Sequence, residues 1–284
     1  MILSEEVFNL SENQRKFIES GWGNEVLNET VVKKIIYSSD GLNVNGYFAY
    51  PLYAENSNRK YPLIIWNRGG SRKDGMIDEF LAKGIFGEMA SWGYVVLASQ
   101  YRKEDEFGGK DVNDILNLFP IAKEIPFCDT NNIGMEGWSR GGMMTYRVLS
   151  LTDKVKCAVI ISGLADIFRS EKNNDELAKV YYKLFGTEEE GEFIARKKER
   201  SAVHFADRIR KDTKILLIHG KADDKVSHKD SVEMYNLLKS NGVDCELKLI
   251  ENGDHYLKKN RKEISELRKR WFDRFLKREE IRWL

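Results

Sequence analysis

Ile133-Gly134-Met135-Glu136-Gly137-Trp138-Ser139-Arg140-Gly141-Gly142-Met143-Met144 runs from a short apolar segment into a Gly-x-Ser-x-Gly turn, then into a helical pattern through Tyr146, Val148 and Leu149. That is the layout of a nucleophile elbow. A serine on a tight strand-to-helix turn projects its hydroxyl, and small residues two before and two after it let neighbouring backbone pass close by. At the amino end of the helix, the serine oxygen also feels the positive end of the helix dipole. The pentapeptide alone fits an ordinary glycine-rich turn equally well, so the residues downstream decide its meaning.

A serine hydroxyl needs a base to take its proton, and an acid to hold that base. The apolar strand Ile215 to His219 is followed by Gly220-Lys221-Ala222-Asp223-Asp224-Lys225-Val226. The strand Leu247 to Ile250 is followed by Glu251-Asn252-Gly253-Asp254-His255-Tyr256. Asp223 and His255 therefore sit just past the carboxyl ends of strands, where open α/β sheets place their chemistry. The order Ser, Asp, His is that of the α/β-hydrolases. Asp224 is the fallback for the acid. His219 reads as a packed, hydrogen-bonded strand end, and His204 and His228 as surface or cap residues.

Attack by serine on a carbonyl makes an oxyanion that needs donors. One is the amide of Arg140, the residue after the nucleophile; the second comes from the loop after the strand Pro62 to Trp66, with the Gly70 amide preferred. If Gly69-Gly70 is a mere turn, only one donor remains. Trp138, Tyr101 and Phe168, with Arg102 and Arg169, flank strand ends and are candidates for lining a substrate pocket, each equally readable as plain packing. Nothing in the pattern asks for a metal or a cofactor.

The 284 residues fit one large α/β unit carrying an insertion. A hydrophobic share of 42% with 32% charged residues is enough apolar material for a full core. A formal net charge of +1 supplies no field for attracting nucleic acid or an anionic membrane. Cys128, Cys157 and Cys245 lack any C-x-x-C spacing and read as buried free thiols. The first residues carry acids where a signal peptide carries bases, and no apolar run approaches a membrane span. The expectation is a cytoplasmic enzyme with neither nucleic-acid nor membrane partners; oligomeric state is unreadable.

Residues 1–30 read as an amino-terminal helical extension, with an amphipathic helix through Glu12 to Ser20 whose purpose the sequence does not choose. From residue 31 to 284 the chain reads as one catalytic domain. Val31 to Tyr37 and Leu42 to Tyr50, around Ser38-Ser39-Asp40-Gly41, predict an antiparallel hairpin. Then strand and helix alternate: strand 62–66, helix through Phe80 to Ala90, strand 94–98, helix 110–123, strand 133–136, the elbow helix and strand 156–162. Residues 166–209 interrupt the alternation with two or three helices, at 175–184, 188–199 and 201–209, which read as a small helical cap insertion above Ser139 or as helices packed on one flank of the sheet. Strand 215–219, helix 229–241, strand 247–250 and a solvated helix 258–276 complete a mostly parallel sheet with helices on both faces.

With these segments in place, the chain resembles the catalytic domain of the prolyl oligopeptidase family of serine hydrolases, within the α/β-hydrolase superfamily. The matching pieces are Gly137-Trp138-Ser139-Arg140-Gly141-Gly142, the run Ser201 to Ala206, His219-Gly220-Lys221-Ala222-Asp223-Asp224-Lys225-Val226, and Gly253-Asp254-His255. The resemblance covers roughly residues 31–276 and implies the acid at the fifth position of the His-Gly-x-x-Asp motif, which is Asp223. The family's His-Gly-Gly-Pro motif falls on Arg68-Gly69-Gly70-Ser71, so both outer residues differ. Full-length members carry a β-propeller before the hydrolase domain, and only about 30 residues precede the hairpin here. The expectation is therefore a stand-alone catalytic domain, as close to esterases and dienelactone-hydrolase-like relatives as to peptidases. The leading reading is cleavage of a small-molecule carboxylic ester through an acyl-enzyme. The alternatives are a peptidase acting on short peptides and a catalytically silent binding module of the same fold.

Overall fold

A computed structural model describes residues 1–277. Strand β1 (Ile2–Val7) leads into helices α1 (Glu12–Trp22) and α2 (Asn24–Asn28), then into strands β2 (Thr30–Ser39) and β3 (Leu42–Pro51). The alternating part follows as β4 (Tyr61–Asn67), α3 (Glu79–Ser91), β5 (Val95–Ser99), α4 (Val112–Leu116), α5 (Leu118–Ala122), β6 (Cys128–Trp138), α6 (Arg140–Leu149) and β7 (Val155–Ile161). The insertion holds α7 (Ile167–Asn173), α8 (Asp175–Phe185) and α9 (Glu190–Arg200), and the chain closes with β8 (Lys214–Gly220), α10 (His228–Ser240), β9 (Cys245–Ile250) and α11 (Arg261–Leu276).

All these strands form one sheet in the order β1-β2-β3-β5-β4-β6-β7-β8-β9. The pairs from β1 through β3 to β5 are antiparallel, and those from β5 through β4 to β9 are parallel. The parallel strands are apolar on both faces because both are covered. Along β4, Leu63 and Ile65 enter a core shared with Met143 and Met144 of α6 and Met234 and Leu238 of α10. Ile64 and Trp66 point the other way, to Phe86 and Met89 of α3 and Phe272 of α11. This is the α/β-hydrolase arrangement, with α3 and α11 on one face and α4, α5, α6 and α10 on the other.

The first 30 residues are not only helical. β1 adds an edge strand to β2, with Ile2 opposite Tyr37 and Val7 opposite Lys33. The expected helix 110–123 is two short ones, because Pro120 has no N–H to give to Leu116 and its ring crowds that turn. In the insertion, α7 is additional, started by Asp166 accepting from the Phe168 amide at 2.9 Å, and residues 201–209 wind as two 3-10 turns. The insertion leans on α10, through Arg169 with Asp230 at 2.8 Å, and on the loop before α4, through Arg200 with the Phe107 carbonyl at 3.1 Å.

The expected solvated last helix also has a buried charge. Arg268 grips Glu136 of β6 in two parallel bonds of 2.8 Å and Glu88 of α3 at 2.9 Å, while the Trp66 indole donates to Glu136 at 3.0 Å. Burial raises the Glu136 carboxyl even against this neighbouring guanidinium.

Candidate active site

Ser139 stands between the last residue of β6 and the first of α6 at φ 58°, ψ −121°, a left-handed conformation for a residue with a side chain. Such backbone costs roughly 1–3 kcal/mol and persists only where the surroundings dictate it. Here the Ser139 amide donates to the Ile161 carbonyl at 3.0 Å, and its carbonyl accepts from Gly142 and Leu164 at 2.9 and 3.1 Å. The flanking glycines are compulsory: a Cβ on Gly137 would overlap the Gly141 carbonyl, and one on Gly141 would overlap that of Asn67.

Asp223 lies in the turn after β8 with its carboxylate fully buried. Oδ1 accepts from the amides of Lys225 and Val226, both at 2.9 Å. Oδ2 accepts from His255 Nδ1 at 2.8 Å and from His219 Nε2 at 3.1 Å. Burial by itself would raise this carboxyl, but the hydrogen bonds from the two histidines and the backbone win and hold it well below the ordinary range. Asp224 next door is exposed and does not touch His255.

His255, in the loop after β9, carries its proton on Nδ1, since that atom faces a carboxylate. Nε2 is left with its lone pair. His255 and Ser139 line one cavity of about 460 Å³. The Ser139 hydroxyl makes no hydrogen bond among the described residues, a looseness common in sites without substrate. The Trp138 indole donates to the His255 carbonyl at 3.1 Å, joining the residue before the serine to the loop that bears the imidazole.

His219 is the packed, hydrogen-bonded strand end expected, and the acid is among its partners. Its Nε2 faces two acceptors, Asp223 Oδ2 and the Val226 carbonyl at 3.0 Å, so it carries the proton, and Nδ1 takes the Ser231 hydroxyl at 2.7 Å. The imidazole is a second donor to the acid.

Gly69 approaches the serine so closely that a Cβ there would lie 3.3 Å from Ser139 Cβ. Gly70, at φ 66°, turns the loop away, and both glycines line the cavity. The Arg140 amide opens α6, where helical N–H groups have no acceptor within the helix. Its side chain turns inward and is fully buried. It holds both oxygens of Asp105 at 2.8 and 2.7 Å, reaches Asp111, and donates to the Gly70 carbonyl at 2.8 Å. Arg140 keeps the Asp105 carboxyl below its usual range although burial pushes it up.

Arg68, where the family has histidine, is equally buried and donates to the carbonyls of Gln100, Gly69 and Arg72 at 3.0, 3.0 and 3.1 Å. These two guanidinium groups pin the glycine loop by its carbonyl oxygens, roles that the sequence pattern does not reveal, nor those of Asp105 and Asp111. The signal available was two arginines beside glycines, which carries no information about direction.

Of the expected pocket residues, Trp138 lines the cavity. Tyr101 does not: its ring, at φ 61°, is buried between Arg68 and Arg140, 4.7 and 5.0 Å from their centres, and its hydroxyl donates to the Arg68 carbonyl at 3.0 Å. Phe168 does not either. It meets His204 edge-on at 5.6 Å inside the insertion, and no residue of 166–209 lines the cavity that contains Ser139. Arg102 is spent on Asp114 at 2.8 Å and Arg169 on Asp230. Among the described residues, no cluster of three or more His, Cys, Asp or Glu could hold a metal ion. No described helix is long and apolar enough to cross a membrane, and the three cysteines are buried and free.

A family model described as the prolyl oligopeptidase family matches residues 89–279. The uncharacterized peptidase YtmA of Bacillus subtilis is 27% identical over 247 residues, covering 82% of this chain and 90% of that protein. YuxL, another uncharacterized peptidase of Bacillus subtilis, is 26% identical over 278 residues, but the chain spans only 39% of its length. Dipeptidyl-peptidase 5 of Porphyromonas gingivalis is 24% identical over 262 residues, with 87% of this chain and 38% of that protein covered. Among solved structures, Pyrococcus horikoshii acylaminoacyl peptidase superposes with a TM-score of 0.76 at 22% identity, over 90% of this chain and 43% of the other. That likeness shows the fold.

Proposed function

The chain belongs to the prolyl oligopeptidase family, and from that premise we propose that it is a serine peptidase cleaving short peptides through an acyl-enzyme. The observation that carries this is the 2.8 Å bond from His255 Nδ1 to a buried carboxylate, which leaves Nε2 as the basic atom of an imidazole sharing a cavity with Ser139. Ser139 Oγ attacks the scissile carbonyl while His255 Nε2 takes its proton. The new oxyanion is held by the amides of Arg140 and Gly70, each such donor contributing ~2.7–4 kcal/mol in related hydrolases. The C–N bond then breaks as imidazolium gives its proton to the departing amine. Water, deprotonated by the same imidazole, releases the acid from Ser139. Asp223 keeps the tautomer and stabilises the imidazolium.

The ester-first expectation gives way to the peptidase reading on the comparisons, because relatives aligned over more than four-fifths of the chain are named as peptidases. The test is fluorophosphonate labelling followed by a panel of acylaminoacyl, dipeptidyl and prolyl p-nitroanilides beside p-nitrophenyl acetate. Label on Ser139 with turnover of at least one anilide class supports the reading. Label with ester turnover alone makes the protein an esterase, and absence of label makes it a silent module.

A further inference from the structure

The cavity at Ser139 continues beyond the catalytic residues. It adjoins a second one of about 270 Å³, and the two share Trp66, Leu81, Ile85, Trp138 and Tyr256. Leu81 and Ile85 stand four residues apart on α3 and so present one face to this trench. Its far end is Trp22, the last residue of α1. Trp22 lies flat where α3 has Gly84, whose missing Cβ would come within 2.5 Å of the indole, and Arg261 stacks on the ring at 3.8 Å.

We propose that this trench is a subsite for a bulky apolar, preferably aromatic, group of the substrate adjoining the scissile bond, and that the amino-terminal helix supplies its end wall. The inference rests on Ser139 being the nucleophile. Most charged groups along the trench already have partners: Arg268 is bound to Glu136 and Glu88, Arg261 stacks on Trp22 and lies 3.5 Å from Glu88, and Lys258 stands over the Tyr256 ring at 5.2 Å. At the rim, Lys225 is bonded to the Tyr256 hydroxyl at 2.9 Å. An apolar occupant covers the indole and aliphatic surface of Trp22, Trp66, Trp138, Leu81 and Ile85, whereas a charged one would give up its water in a largely apolar lining. The volume next to the serine falls inside the ~300–1,000 Å³ range of small-ligand sites, so a side chain or acyl substituent fits, but a folded protein does not. This gives residues 1–30 a use that the sequence left open. α1 shapes the site from the side of α3, opposite the insertion.

The experiment measures kcat/KM for two substrate pairs. On the acyl side, N-acetyl-Gly and N-acetyl-Phe p-nitroanilides are compared; on the amine side, N-acetyl-Gly-Gly-amide and N-acetyl-Gly-Phe-amide. The expected result is a preference of at least about tenfold for the Phe member in one pair, which identifies the side served. That preference should fall by most of its value in Leu81→Trp, which fills the trench, and in Trp22→Ala, which opens its end. Ile85→Phe, a smaller intrusion with melting temperature measured alongside, serves if Leu81→Trp does not fold. Fluorophosphonate labelling of the unmodified protein separates the two ideas. Label on Ser139 with no Phe preference in either pair, or with a preference that survives the trench variants, overturns the subsite. Absence of label overturns the nucleophile and the subsite together.

Discussion

Replacing His219 with phenylalanine keeps a ring of similar size in a fully buried position and removes both nitrogens. Three partners are affected: Asp223 Oδ2, the Val226 carbonyl and the Ser231 hydroxyl. A hydrogen bond to an ionised group contributes ~1.5–3 kcal/mol, and a buried polar atom left without a partner costs ~1–3 kcal/mol. Losses of this kind are not fully additive, so His219→Phe should lose about 3–5 kcal/mol of stability. Chains somewhat shorter than this one shift by ~2–4 °C per kcal/mol and longer ones by less, so at about 2 °C per kcal/mol the melting temperature falls by roughly 6–10 °C. Asp223 retains three donors, so the acid stays in place but is less firmly aimed, and kcat/KM should fall about tenfold with KM nearly unchanged.

The pH dependence has a definite sign. The folded Asp223 carboxyl is depressed, so its contribution is fully present above the ordinary ~3.9 of the unfolded carboxyl and is lost progressively as pH falls from there through the lower folded value. The gap in melting temperature between parent and His219→Phe should therefore hold through mildly acid solution and narrow only in strong acid, so it should be smaller at pH 2 than at pH 7. Differential scanning calorimetry at the two pH values, with kcat and KM on one anilide, checks each part. His219→Gln, which restores one N–H, should recover part of the rate. A His219→Phe protein that melts with the parent and turns over at its rate would refute the claim that this imidazole holds the acid.

Asp223→Asn should lose far more kcat than Asp224→Asn, because only the former bonds His255; near-equal losses in steady-state assays would misplace the acid. Arg268→Met strands the buried Glu136 and should cost ~3–5 kcal/mol by denaturant unfolding, while Arg268→Met combined with Glu136→Gln, which still accepts from Trp66, should recover most of it. Lys83 lies against the Thr30 carbonyl at 2.9 Å with no carboxylate partner among the described residues, and burial pulls it down to about 8. Between that value and the ~10.4 of an unfolded lysine, the unfolded state binds more protons, so stability rises with pH there. Against Lys83→Met, the parent should gain over this interval, and a flat difference would contradict the burial argument.

Much of this is legible in the order of the amino acids alone. The apolar runs of β4, β7 and β8 state their own burial, and Gly137, Ser139 and Gly141 state a turn whose steric demands the backbone then shows. Asp223 and His255 were recoverable because strand ends are marked by a change from apolar to polar and glycine residues. What escaped depends on pairing between distant charges. Arg140, Asp105 and Asp111 look like surface residues in one dimension and become interior only once paired with one another, and Arg68 only because backbone carbonyls take its N–H groups. β1 escaped for a related reason. Its polar Ser4, Glu5 and Glu6 lack an apolar face, and pairing with β2 is what makes it a strand. Tyr101 and Phe168 followed strand ends as expected, but proximity along the chain did not settle which way their rings turned.

The indole of Trp138 has a mechanical meaning beyond lining a wall. The nucleophile and the imidazole ride on segments 116 residues apart, one at the heart of the sheet and one behind its outermost parallel strand, β9. A single N–H···O link spans that gap from the position beside the serine. The loop behind the border strand is thereby tied to the elbow itself, independently of the bond that its imidazole makes to the acid.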